Sequence, residues 1–128
     1  MPPSQNKSIP PLASTIFDWE NLTSTPTAVG ARRDFFDGQT NTLNNFECHA
    51  TTLNPGKAPH PPHRHPDEEL VILREGTLEV TVNGVARRMG PGSIAFFASN
   101  DEHGMFNIGD VPATYHVLRW ISPSTPKA

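Results

Sequence analysis

The sequence predicts an all-β fold. Three observations carry that expectation: turn signals recur every several residues, the segments between them are short and rich in β-branched or aromatic residues, and no segment has the apolar period of a long helix. Taken in order, residues 1–15 are rich in Pro and Ser and read as a flexible N-terminal arm. DWENL, residues 18–22, has room for one helical turn. FECHATTL ends at Leu53, and the turn Asn54-Pro55-Gly56 follows it. ELVILR and TLEVTV flank Glu75-Gly76, and SIAFFA follows Gly90-Pro91-Gly92. ATYHVLRWI closes the patterned region after Gly109-Asp110.

The clearest hairpin is TLEVTVNGVARRM. Leu78, Val80 and Val82 alternate with polar residues, and Asn83-Gly84 suits the positive φ angles of a two-residue turn. Residues 16–122 are expected to form one domain, and 123–128 a flexible tail. Many short strands in a chain of 128 residues favour a jelly roll over an immunoglobulin-like sandwich.

Charge and composition exclude several function classes. A net charge of -3 with no basic stripe gives no footprint for nucleic acid. No apolar run is long enough to span a bilayer, so no membrane partner is expected. The N-terminus, MPPSQNKSIPPLAS, lacks the hydrophobic stretch of a secretion signal. The cytoplasm is the default expectation, although export from a trimmed precursor would leave the same sequence. Cys48 is the single cysteine and lies in a strand-like run, where a small buried side chain is expected rather than a reactive thiol.

The stretch PHPPHRHPDEE, residues 59–69, concentrates chemistry. Side chains two or four apart on a strand share a face. If 63–73 is extended, His63, His65 and Glu69 point together and are followed by Val71 and Leu73. Two imidazoles and a carboxylate on an otherwise apolar face are costly to bury unless something pairs them, and a divalent cation would pair all three. A solvent-exposed His-Pro linker capped by Asp67, Glu68 and Glu69 is the plainer reading, but a linker would not run straight into ELVIL. A fourth ligand has four candidates: His49, His60, His103 and His116. His103 stands out because it opens a strand after a turn, with Met105 and Asn107 on its face. His60 reads as loop surface, and His49 and His116 as hydrogen-bonded structural residues.

These residues resemble the two motifs of the cupin family. The first is met by Gly56, His63-Arg64-His65, Glu69 and Gly76, with six residues instead of five between Gly56 and His63. The second is met by Gly92, His103 and Asn107, while Ala98 and Asn100 stand where the family has Pro and Gly. Asn tolerates the left-handed backbone better than other non-glycine residues, so the turn at Asn100 can survive.

The resemblance implies a double-stranded β-helix, or jelly-roll barrel, with one divalent transition metal (Fe, Mn, Ni or Zn) held by His63, His65, Glu69 and His103. It also implies a homodimer. Three histidines and one glutamate leave open positions on an octahedral ion, as a reactive site requires. The expected pocket lining is apolar: Val71, Leu73, Phe96, Phe97 and Met105. No separate general base is evident in the sequence. The expectation is a metal-dependent enzyme of dioxygenase type acting on a small organic molecule. A non-redox isomerase, lyase or hydrolase and a non-catalytic binding protein are the alternatives.

Overall fold

Nine strands among the described residues form two antiparallel sheets. The computed structural model describes residues 9–127. The first eight residues of the expected arm, and Ala128 of the expected tail, lie outside the described residues. The strands are β1 (Thr25–Thr27), β2 (Gly30–Gly38), β3 (Asn45–Leu53), β4 (Glu68–Glu75), β5 (Leu78–Val82), β6 (Val85–Met89), β7 (Ile94–Phe97), β8 (His103–Asn107) and β9 (Ala113–Ile121). The larger sheet runs β1-β2-β3-β9-β4-β7 and the smaller β6-β5-β8. DWENL forms one 3-10 turn, Trp19–Asn21.

Alternation decides which faces meet. Glu69, Val71 and Leu73 of β4 are buried, and Leu70 and Ile72 between them are half-buried. In β5, Leu78 and Val80 are buried. These apolar side chains meet Leu53, Phe97, Tyr115 and Val117 in one core between the sheets. Each fully buried Leu, Val or Phe contributes roughly 1.5–3 kcal/mol. The β5–β6 hairpin turns as expected, with φ of 47° at Asn83 and 83° at Gly84.

Gly76 joins β4 to β5 at φ 90°, and a Cβ there would come within 2.6 Å of Ala113 Cα. No other residue type fits that position without moving β9.

Residues 9–12 of the expected arm are tied down. The Leu12 amide donates to the Gln39 backbone carbonyl at 2.9 Å, and Gln39 Nε2 donates to the Ile9 carbonyl at 2.7 Å. Cys48 is buried as expected, and burial, with the charge of Glu47 beside it, pushes its thiol up to about 11. Ile94 and Phe96 are exposed on β7, which is an edge strand of the larger sheet.

Candidate metal centre

The strand expected over 63–73 starts only at Glu68. His63 instead bridges to the first residue of β8: its amide donates to the His103 carbonyl at 2.9 Å, and the His103 amide donates back at 2.8 Å. The Asn100 amide donates to the His65 carbonyl at 2.8 Å, and Asn100 takes φ 65°, the left-handed turn expected of it. Prolines at 59, 61, 62 and 66 deny this segment the continuous ladder of a strand. Three backbone hydrogen bonds to residues 100–103 hold it in place instead.

The result brings His63, His65 and His103 around one point. Their ring centroids are 4.8–5.0 Å apart, with planes 76–81° from one another. One nitrogen from each lies within 4.8 Å of the others, the scale of two coordination bonds of roughly 2.0–2.2 Å each. This group can hold a metal ion. Glu69 Oε1 lies against it, 3.0 Å from His65 Nε2 and 3.4 Å from His103 Nε2. Phe97 stacks flat on His103, with centroids 4.1 Å apart and planes 7° apart, and so fixes that ring.

The hydrogen bonds indicate which nitrogens are free. His65 Nδ1 lies 2.8 Å from the Asp67 carbonyl and 2.9 Å from its Oδ1, both acceptors, so Nδ1 carries the proton. His103 Nδ1 likewise donates to the Asp101 carbonyl at 3.0 Å. In neutral imidazoles both Nε2 atoms then present lone pairs toward an acid oxygen, which repel unless a cation or an extra proton stands between them. His103 Nε2 is buried and makes no hydrogen bond of sound geometry among the described residues. The residues therefore fit a divalent cation.

The electrostatics agree. Burial raises the Glu69 carboxyl, but His103, Arg119 and His65 outweigh burial and hold it below the usual carboxylate range. Burial, together with His60, His103 and His65, pushes His63 down to about 4, so it is neutral and available as a ligand at physiological pH. For His103 burial pulls downward, yet Glu69 and the Asp101 carbonyl raise it. Without an ion, a proton on His103 is the competing occupant of the centre. Protons and cation contend for one lone pair, so affinity falls as pH falls. Zinc binding followed from pH 8 to pH 5 is expected to weaken by about tenfold per unit below the His103 titration. An affinity constant across that range would contradict ligation by His103.

Two further residues contact the cluster. Asp67 is half-buried: it contacts His65 and accepts from Arg119 Nε at 2.8 Å. Burial raises its carboxyl, and Arg119 pulls it below the ordinary range. His60, read as loop surface, stacks on His63 with centroids 3.9 Å apart.

Beside the cluster opens a cavity of about 270 Å³, with His63 and Glu69 on its wall. This is close to the low end of ligand pockets, roughly 300–1,000 Å³. Of the five expected lining residues, Met105 is on the wall. Val71 and Leu73 are fully buried in the core, Phe97 packs on His103, and Phe96 is 52% exposed on the outer surface. Strands β2, β3 and β9 supply much of the wall instead, with Arg32, His49, Thr51, Tyr115 and Arg119. Of the other histidines, His49 is hydrogen-bonded as expected, and His116 packs against Trp19 and Phe35 away from the cluster.

Comparison with known proteins agrees with this architecture. No curated protein sequence matches the chain. An RmlC-like cupin from Shewanella frigidimarina superposes with a TM-score of 0.70 at 15% identity, over 88% of this chain and 95% of that one. A sugar phosphate isomerase of the cupin superfamily from Silicibacter pomeroyi gives 0.67 at 22% identity, over 85% and 77%. The polyketide cyclase RemF from Streptomyces resistomycificus gives 0.68 at 16%, over 91% and 86%. At these identities the likeness shows the fold alone. The sequence model of the cupin domain matches residues 49–119, more than half of the chain and the whole of the histidine cluster. The chain belongs to the cupin family.

Proposed function

We propose that the chain is a metal-dependent enzyme that transfers protons on a small oxygenated organic molecule. The observation that supports this most directly is the shared cavity: His63 and Glu69 of the cluster lie on the same wall as His49, Tyr115, Arg32 and Arg119. A divalent ion held by His63, His65, Glu69 and His103 would act as a Lewis acid on a carbonyl oxygen. The chain supplies the rest. Phe97 and the Asp101 carbonyl hold His103, Asp67 holds His65, and Val117 and Met105 give the cavity its apolar patches.

A dioxygenase needs an open ion and an apolar chamber, with no proton-transfer group required of the wall. The ionisable side chains set among apolar ones on this wall, His49 and Tyr115 above all, favour the non-redox reading over it. The two separate in one experiment: protein loaded in turn with manganese, iron and zinc is incubated in deuterated water with pyruvate or dihydroxyacetone, and with 2,4-pentanedione in an oxygen electrode. Deuterium entering carbon next to the carbonyl without oxygen uptake is the expected result. Oxygen uptake with iron alone would establish the dioxygenase. Binding without exchange or uptake would establish a binding protein.

A further inference from the structure

The geometry points to His49, held by Glu47, as the proton-transfer residue of this cavity, acting on a small molecule with an acidic C–H next to a carbonyl. The inference rests on the enzyme reading above and names the group that the reading lacks.

Glu47 and His49 share one face of β3, two residues apart. Glu47 Oε2 lies 2.6 Å from His49 Nδ1, and the two side chains are 16% and 12% exposed. A carboxylate on Nδ1 fixes the proton there and leaves the Nε2 lone pair, whose ring lies on the cavity wall. Among the described residues, the hydrogen bond of His49 is made by Nδ1 alone. An imidazole backed by a carboxylate is the arrangement that accepts a proton and stabilises the imidazolium that results.

The other ionisable groups on the wall are committed elsewhere. Arg119 is paired with Asp67, and Arg32 with Asp34 at 2.9 Å and Glu47 at 3.5 Å, and neither guanidinium gives up its proton. Burial raises the Tyr115 phenol above its ordinary value. His63 and Glu69 belong to the cluster. His60 stacks on His63, with Nδ1 on the Pro61 carbonyl at 2.9 Å and no carboxylate behind it among the described residues. Asp34 is opposite His49 in register but is mostly exposed and paired with Arg32.

The step balances without a co-reactant. His49 Nε2 takes the proton from carbon. The C–H electron pair becomes the new carbon–carbon double bond as the carbonyl pair moves onto oxygen. The imidazolium, paired with Glu47, then returns the proton to a different atom, so the product is an isomer and the dyad is restored.

The test joins a structural readout to a kinetic one. In zinc-loaded protein labelled with ¹⁵N-histidine, His49 is expected as the Nδ1–H tautomer, and pyruvate is expected to shift its Nε2 resonance. Glu47→Gln is expected to erode that tautomer preference. His49→Gln is expected to keep the wild-type ion content and circular dichroism and to slow deuterium exchange by about 10²–10⁴-fold. Undiminished exchange, loss of the ion, or an Nε2 resonance that ignores pyruvate would each overturn the assignment. Failure of the wild type to exchange either probe would instead overturn the enzyme reading, and the resonance shift would still decide whether His49 meets the ligand.

Discussion

Replacing His103 with alanine is expected to weaken metal binding by at least about 100-fold, because outer partners of ligands alone are commonly worth roughly 10–100-fold. Three features make His103 the most sensitive of the cluster. It is 1% exposed, its Nε2 has no hydrogen bond among the described residues, and its ring is clamped between Phe97 and the Asp101 carbonyl. Neither neighbouring histidine can move into its place, since His63 is held by its bridge to β8 and His65 by Asp67. The loss would appear in chelator competition with zinc. The metal-free variant is expected to stay folded, because the core between the sheets, with Leu53, Val71, Leu73 and Leu78 fully buried, does not rest on the His103 ring. Wild-type affinity in the variant would remove His103 from the centre.

The largest effect on stability is expected four residues further on. Asn107 is fully buried, and its amide donates to the Leu53 and Val111 carbonyls, each at 2.9 Å. Its side-chain oxygen accepts from the Gly109 amide at 2.9 Å. Its backbone pairs with the turn before the cluster: its amide donates to the Lys57 carbonyl at 2.9 Å, and its own carbonyl accepts from Gly56 at 3.0 Å. Asn107→Ala strands two carbonyls and one amide, and each lost bond costs about 1 kcal/mol with more for a buried group left unpaired. A loss of about 3–5 kcal/mol is expected, against a typical total of roughly 5–15. The melting temperature should fall by on the order of 10–15 °C. Folded molecules of this variant should still bind zinc, which separates it from His103→Ala. A change below about 1 kcal/mol would mean that water replaces the side chain at no cost.

What the sequence could disclose follows from how local each signal is. Alternation in ELVILR and TLEVTV, and the Asn83-Gly84 turn, are properties of adjacent residues and survive into the structure as β4 and the β5–β6 hairpin. The spacing of His63, His65, Glu69 and His103 was legible for the same reason, together with its resemblance to a known pattern. Strand β2 was not. GARRDFFDG shows polar side chains where a strand facing a core would be apolar, and a bulge between Asp34 and Phe36 breaks its alternation. Arg32 lines the cavity from a position far from the cluster in sequence, a placement invisible to any window. The cavity lining failed on the same ground. Val71 and Leu73 share parity with Glu69, but much of the wall beside the histidine cluster comes from β2, β3 and β9, brought there by sheet order rather than by the strand's own pattern. Glu47 and His49 were in plain view in FECHATTL, but only the pairing of β3 with β9 puts His49 on the cavity wall beside Val117 and Arg119.

The centre proposed for this chain holds one ion by three imidazoles and one carboxylate. X-ray absorption on zinc-loaded protein measures that coordination directly. The expected spectrum shows imidazole scattering from three histidines and a light oxygen ligand at roughly 2.0–2.2 Å, with no sulfur. Fewer than three imidazoles, or sulfur near 2.3 Å from Cys48, would contradict the centre described here.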